Sequence, residues 1–89
     1  MRITGFIRHN YFKKQFRKLS KETQDAFEIR IKFFLVNPTD NILNNHPLQG
    51  DRKGYWSINI TGNIRAVYKI QGTIAILTEI GTHSELYDK

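Results

Sequence analysis

The chain has 89 residues, enough for one domain spanning 1–89 and not for two. Its hydrophobic content of 39% and aromatic content of 12% are too high for a disordered tail, and zero cysteines remove disulfides, thiol nucleophiles and thiolate zinc sites. Fourteen Lys and Arg against eight Asp and Glu leave a net charge of +6, which implies an acidic partner: nucleic acid, anionic lipid or an acidic protein.

The first residues alternate. Ile3, Gly5 and Ile7 fall on one parity and Arg2, Thr4 and Phe6 on the other, which predicts a short strand. No signal-peptide core develops before charge returns at Arg8, and no apolar run reaches the roughly 20 residues of a membrane span. The expectation is a cytoplasmic chain with no membrane partner. Asn10 is placed to cap the next element. Phe12, Phe16 and Leu19 stand at i, i+4 and i+7 with Lys13, Lys14, Arg17 and Lys18 between them, the pattern of a short helix with a basic outer face. Ser20 is a good cap for a second helix, and Glu22 and Asp25 sit where its dipole favours negative charge. Phe27, Ile31, Phe34 and Leu35 make its apolar stripe, and Asn37-Pro38 stops it.

Residues 38–54 are rich in Asn, Asp, Gly and Pro and read as a linker within the domain. From Tyr55 the texture becomes β. Trp56, Ile58 and Ile60 alternate with Tyr55, Ser57, Asn59 and Thr61, so Trp56 belongs to the core face and Tyr55 and Asn59 to the other. Gly62-Asn63 supplies a turn, Arg65–Ile70 a strand, Gln71-Gly72 a turn and Thr73–Ile80 a last strand that Gly81 ends. A short tail follows from Thr82. The order is β-α-α-β-β-β. It predicts an α+β domain whose antiparallel sheet carries both helices on one face, leaving the other face free to bind.

Few residues on that frame can do chemistry. Three His titrate near neutrality: His9, read as incidental surface; His46, in the loop His46-Pro47-Leu48-Gln49-Gly50; and His83, just past the last strand. Two loop histidines and scattered carboxylates do not make a metal-ligand set, so neither metal nor cofactor is expected. Ser84 beside His83 is no triad, because a triad is a spatial arrangement. Arg65 interrupts the apolar strand Ile64-Arg65-Ala66-Val67-Tyr68 and should point away from the helices. It is either a solvated cation or a fixed fork for phosphate. Tyr55 could stack on a base, and Tyr87 either anchors the tail or is a second stacking platform. Arg52 and Lys53 read as flexible cations in a mobile loop.

Taken in order and spacing, His46-Pro47-Leu48-Gln49-Gly50, Gly54-Tyr55, Arg65-Ala66-Val67-Tyr68 and Gly81-Thr82-His83-Ser84-Glu85-Leu86-Tyr87 resemble the RelE/ParE toxin superfamily, and within it the YafQ-like branch. The similarity covers nearly the whole chain. It implies a toxin of a type II toxin–antitoxin system that cuts mRNA on the ribosome without a metal, and that a cognate RelB/DinJ-like antitoxin silences. It carries over His46 and His83 as acid/base residues, Arg65 as the cation on the scissile phosphate and Tyr87 as the aromatic that orients a base. Of the pair, His83 is favoured as general acid and His46 as base or phosphate positioner. Ribosome, rRNA and mRNA become expected partners, with Tyr55, Lys53, Arg52, Asn59 and Asn63 as further RNA contacts. The chain departs from the branch at Asn59 and Asn63, where YafQ-like toxins often carry a His and a following Asp. Amides do not titrate usefully. The same superfamily holds ParE-like gyrase poisons, and a non-catalytic RNA-binding domain is a third reading. A gyrase poison has no need of an acid/base pair.

Overall fold

A computed structural model of the chain describes residues 2–87. Strand β1 (Gly5–Arg8) leads into helices α1 (Asn10–Arg17) and α2 (Lys21–Val36). The segment that follows holds a 3-10 turn (Asn41–Leu43), a two-residue strand β2 (His46–Pro47) and a second 3-10 turn (Gly50–Arg52). Strands β3 (Trp56–Asn59), β4 (Ile64–Gln71) and β5 (Ile74–Thr82) come next, and a short helix α3 (His83–Tyr87) closes the described chain. The sheet order is β1-β5-β4-β3-β2.

The expected α+β arrangement is found, and β3, β4 and β5 form the expected antiparallel meander. The sheet as a whole is mixed, because β1 pairs parallel with β5, Gly5 opposite Ile74 and Arg8 opposite Leu77. Two further elements depart from the reading. His46–Pro47 adds an edge strand antiparallel to β3. Gly81 does not end the last strand, which runs on to Thr82. A Cβ at Gly81 would lie 3.1 Å from a Glu85 carboxylate oxygen, a tight contact, and 3.6 Å from Leu86, an ordinary one, so α3 packs closely against the end of β5.

Alternation explains the core. Ile58, Ala66, Tyr68, Leu77 and Ile80 point to the helical side and are fully buried with Phe12, Phe27 and Phe34. Burying each large side chain of this kind stabilises by about 1.5–3 kcal/mol. Phe12, Phe16 and Phe27 meet ring to ring across the two helices, and Phe34 meets Tyr68 edge-on with centroids 5.0 Å apart. Trp56 is only half-buried, stacked on Tyr68 at the margin of this core. Ser20 caps α2 as expected, its Oγ accepting from the Thr23 amide. Asn10 does not cap α1. It is the first helical residue, and His9 holds the cap position without a side-chain bond.

The linker is better ordered than its composition suggests. Leu43 is fully buried, and the Tyr68 hydroxyl donates to Asn45 Oδ1 at 2.7 Å while Asn45 Nδ2 donates to the Pro38 carbonyl. Burial pushes the Tyr68 phenol up to about 12, against the opposing pull of the Asn45 bond. Among the described residues no helix is long and apolar enough to cross a membrane.

Candidate functional site

The second face of the sheet carries Tyr55, Ser57 and Asn59 from β3 and its approach, and Arg65, Val67 and Lys69 from β4. It is not left free. Helix α3 folds over part of it, burying Leu86, Ser57 and Val67. Thr82 and Glu85 fasten the fold-back: the Thr82 amide donates to Glu85 Oε1 at 2.8 Å, and the Glu85 amide donates to Thr82 Oγ1 at 3.1 Å. This reciprocal pair is a capping box. The bonds to Thr82 hold the Glu85 carboxyl below the ordinary carboxylate range.

Between α3, β2 and the sheet lies a recess of about 320 Å³ lined by Asn44, His46, Leu48, Ser57, Arg65, His83 and Tyr87. It brings together His46, His83, Arg65 and Tyr87, four of the residues singled out in the sequence. His46 enters through β2, in register with Ser57. Its Nδ1 lies 2.8 Å from the Asn44 carbonyl oxygen. A carbonyl can only accept, so Nδ1 carries the hydrogen and the neutral ring keeps its lone pair on Nε2. His83 is exposed at the start of α3, and its ring meets Tyr87 edge-on with centroids 4.7 Å apart. Tyr87 is held from below, its hydroxyl 2.9 Å from Ser57 Oγ. Arg65 faces away from the helices as expected. Its Nη1 donates to the carbonyls of Thr61 and Gly62 at 3.1 and 3.2 Å, which fixes the fork at the turn after β3.

The remaining expected RNA contacts fall elsewhere. Arg52 is not a flexible cation. It is ion-paired with Glu79 through Nη1 and Nη2, donates from Nη2 to the Leu86 carbonyl at 2.9 Å, and lies over the Tyr87 ring. Glu79 raises the Arg52 pKa above its ordinary value, with burial opposing. The side chain is a clamp joining the Gly50–Arg52 turn, β5 and α3. Asn59 lies opposite Arg65 in the sheet, but its Oδ1 is buried without a hydrogen-bond partner, so that oxygen is not presented to a ligand. Asn63 is exposed in the turn, where its amide donates to Thr61 Oγ1, and Lys53 is exposed beyond the Gly50–Arg52 turn. Neither lines the recess. Tyr55 lines a neighbouring recess instead.

Two contributors escaped the sequence reading. Asn44 orients His46 through its backbone, which no side-chain pattern announces. Ser57 shares strand parity with Tyr55 and Asn59, and that parity was the available signal for its contact with Tyr87.

Comparison with known proteins gives the family and the fold. The model of a family described as the bacterial toxin of the type II toxin–antitoxin system, YafQ, matches residues 5–88. The solved structure of YafQ from E. coli strain BL21(DE3) superposes with a TM-score of 0.74 at 22% identity, covering 92% of this chain and 96% of that one. The E. coli DinJ-YafQ toxin–antitoxin complex gives a TM-score of 0.74 at 20% identity, over 92% of this chain and 94% of that one. The RelB-RelE antitoxin–toxin complex of Methanococcus jannaschii gives 0.72 at 17% identity, over 92% and 95%. At these identities the likeness is one of fold. Among curated proteins there is no significant sequence match.

Proposed function

This chain belongs to the YafQ family of toxins of bacterial type II toxin–antitoxin systems, and from that premise we propose that it acts by cutting mRNA on the ribosome without a metal. The observation that carries the reading is the single recess lined by His46, Arg65, His83 and Tyr87. Metal-free RNA cleavage uses the 2′-hydroxyl as nucleophile. It needs a base for that proton, an acid for the leaving oxygen and a cation for the charge that builds on phosphorus.

His46 Nε2 is the base, since Nδ1 is committed to the Asn44 carbonyl. The 2′-oxygen attacks phosphorus as its proton passes to Nε2. The bond to the 5′-oxygen breaks, and His83 supplies the proton that oxygen takes, leaving a 2′,3′-cyclic phosphate and a 5′-hydroxyl. Arg65 stabilises the phosphorane. Its contacts with the turn run through Nη1, so the other edge of the fork remains for phosphate oxygens. Tyr87, braced by Ser57 and Arg52, orients a base by stacking.

The partners follow from the same reading. An antitoxin of the RelB/DinJ kind silences the chain, as the antitoxin complexes among the matched folds suggest. The net charge of +6, with Lys13, Lys14 and Arg17 exposed on α1, suits rRNA and mRNA in the cytoplasm. The test is primer extension on mRNA in a reconstituted translation reaction. Wild-type protein should leave discrete cuts that depend on ribosomes, and His83→Ala should weaken them by about 10²–10⁴-fold. Intact mRNA together with growth arrest and gyrase-linked DNA breaks would overturn the nuclease reading in favour of gyrase poisoning.

A further inference from the structure

The recess that takes Tyr55 is larger than the one holding the histidines. It measures about 490 Å³ and is lined by His9, Tyr11, Arg52, Tyr55, Lys69, Thr78 and Glu79. That volume lies within the roughly 300–1,000 Å³ of small-ligand sites. Its lining is unusual for plain surface. Two tyrosines, one 49% exposed and one half-buried, share it with Lys69, whose ammonium lies 5.9 Å from the centre of the Tyr55 ring. The carboxylate of Glu79 would repel an anion, but it is neutralised by Arg52. Lys69 remains an exposed cation, and His9 adds a second group that can carry positive charge.

The two recesses are neighbours. Arg52 lines the larger one, and its guanidinium lies over the ring of Tyr87, which lines the smaller one, 5.7 Å from the ring centre. A chain of nucleotides with its scissile link at His46 and His83 would therefore run past Tyr87 and Arg52 into the neighbouring recess.

We propose that this second recess is a nucleotide subsite for single-stranded RNA, taking a nucleotide that flanks the cleaved one. Its base stacks on Tyr55 or Tyr11, and its phosphate is held by Lys69 and His9. Aromatic rings beside cations are the recurrent solution for unpaired RNA, because every base has a π-face and every link has a charge. Flat surface charge would give only non-specific attraction. A shallow recess with two rings fixes register through stacking, and register decides which link meets the histidines. The inference rests on the nuclease reading for its orientation but is tested by binding alone.

The probe is a hexaribonucleotide with 2′-O-methyl groups, which cannot be cut. Titrated into ¹⁵N-labelled protein, it should shift amides at Tyr11, Tyr55 and Lys69 as well as at His46, Arg65 and His83. By fluorescence anisotropy, Tyr11→Ala and Lys69→Gln should each weaken binding about tenfold, toward the lower end of what a base stack or a fixed phosphate contact contributes. Both side chains are exposed, so thermal melts should stay near wild type; Tyr55→Leu serves as a third variant. Shifts confined to the His46 recess, with affinity unmoved in all three variants, would overturn the proposal. Loss of antitoxin affinity in these variants with RNA affinity unchanged would overturn it too, and would mark a protein-docking pocket. Cleavage by wild-type protein with no effect of the three variants leaves the nuclease reading standing and removes the subsite. RNA binding that depends on these residues, without cleavage on ribosomes, supports the subsite and removes the nuclease reading.

Discussion

Removing the Arg52 side chain should cost stability first and RNA affinity second. The guanidinium and the Glu79 carboxylate have side-chain exposures of 25% and 18%, so the pair is largely withdrawn from water. Arg52→Ala strands that carboxylate, deletes the bond to the Leu86 carbonyl and uncovers one face of Tyr87. Breaking a fully buried pair costs about 3–5 kcal/mol, and a hydrogen bond from a charged donor contributes about 1.5–3. Because both groups keep some solvent, the expected loss is lower, about 2–3 kcal/mol. For a domain of this size that lowers Tm by roughly 10–20 °C. Circular dichroism melts measure it. The double variant Arg52→Met/Glu79→Leu should recover most of the loss, since an apolar pair leaves no charge stranded. If Arg52→Ala melts within about 3 °C of wild type while the salt dependence of RNA binding falls by one contact, the clamp is wrong and Arg52 is the phosphate cation its loop position first suggested.

Other outcomes follow from the same geometry. His83→Ala should lower cleavage by about 10²–10⁴-fold and relieve growth arrest with an unchanged melt, because the ring is exposed and lies edge-on to Tyr87 at the surface; full toxicity at equal expression would exclude His83 as the acid. Arg65→Ala should abolish cleavage and Arg65→Lys restore little of it, since a point charge cannot hold both the turn carbonyls and a phosphate; a cooperative melt distinguishes this from a structural loss. Glu85 has its folded pKa lowered by its bonds to Thr82, so it contributes stability above the ordinary carboxylate pKa that is lost as pH falls through the lowered value. The protection factor of the Thr82 amide, which donates to Glu85, should fall over that acid window, and in Glu85→Gln the protection factor should not change with pH there.

The period of the sequence carried most of the frame. Phe12, Phe27, Ile31 and Phe34 lie where helical spacing put them, and Ile58, Ala66 and Tyr68 where strand alternation did. What spacing could not carry is long-range pairing. Nothing local to Gly5–Arg8 says that its partner is Ile74–Leu77, or that the two run parallel. Leu43 was hidden among turn-forming residues, although it is fully buried. In the site, the motif residues His46, Arg65, His83 and Tyr87 converge, because each sits at a strand end or sheet position that β2 and α3 bring to one place. Arg52 was misread because a cation between glycines looks solvated until its partner, 27 residues away at Glu79, is known. Asn59 was placed on the correct face, but face alone does not tell whether an oxygen is open or covered.

The role proposed for His46 as base depends on its tautomer, and that depends on Asn44. Asn44 has a φ of 45°, in the left-handed region that Asn tolerates and β-branched residues resist. In that conformation its carbonyl receives His46 Nδ1. Asn44→Gly keeps the conformation available and should cut RNA at close to the wild-type rate. Asn44→Val strains it by about 1–3 kcal/mol, which is relieved by turning the carbonyl away. The ring would then lose its orientation, and kcat should fall about tenfold or more while KM holds, because the remaining contacts with RNA are untouched. Two-bond ¹H–¹⁵N spectra read the tautomer directly. They should show the proton on Nδ1 of His46 in wild type and in Asn44→Gly, and a mixture in Asn44→Val. A neutral His46 protonated at Nε2 in wild type, or an Asn44→Val enzyme of full rate, would remove His46 as the base and leave it the task of holding phosphate.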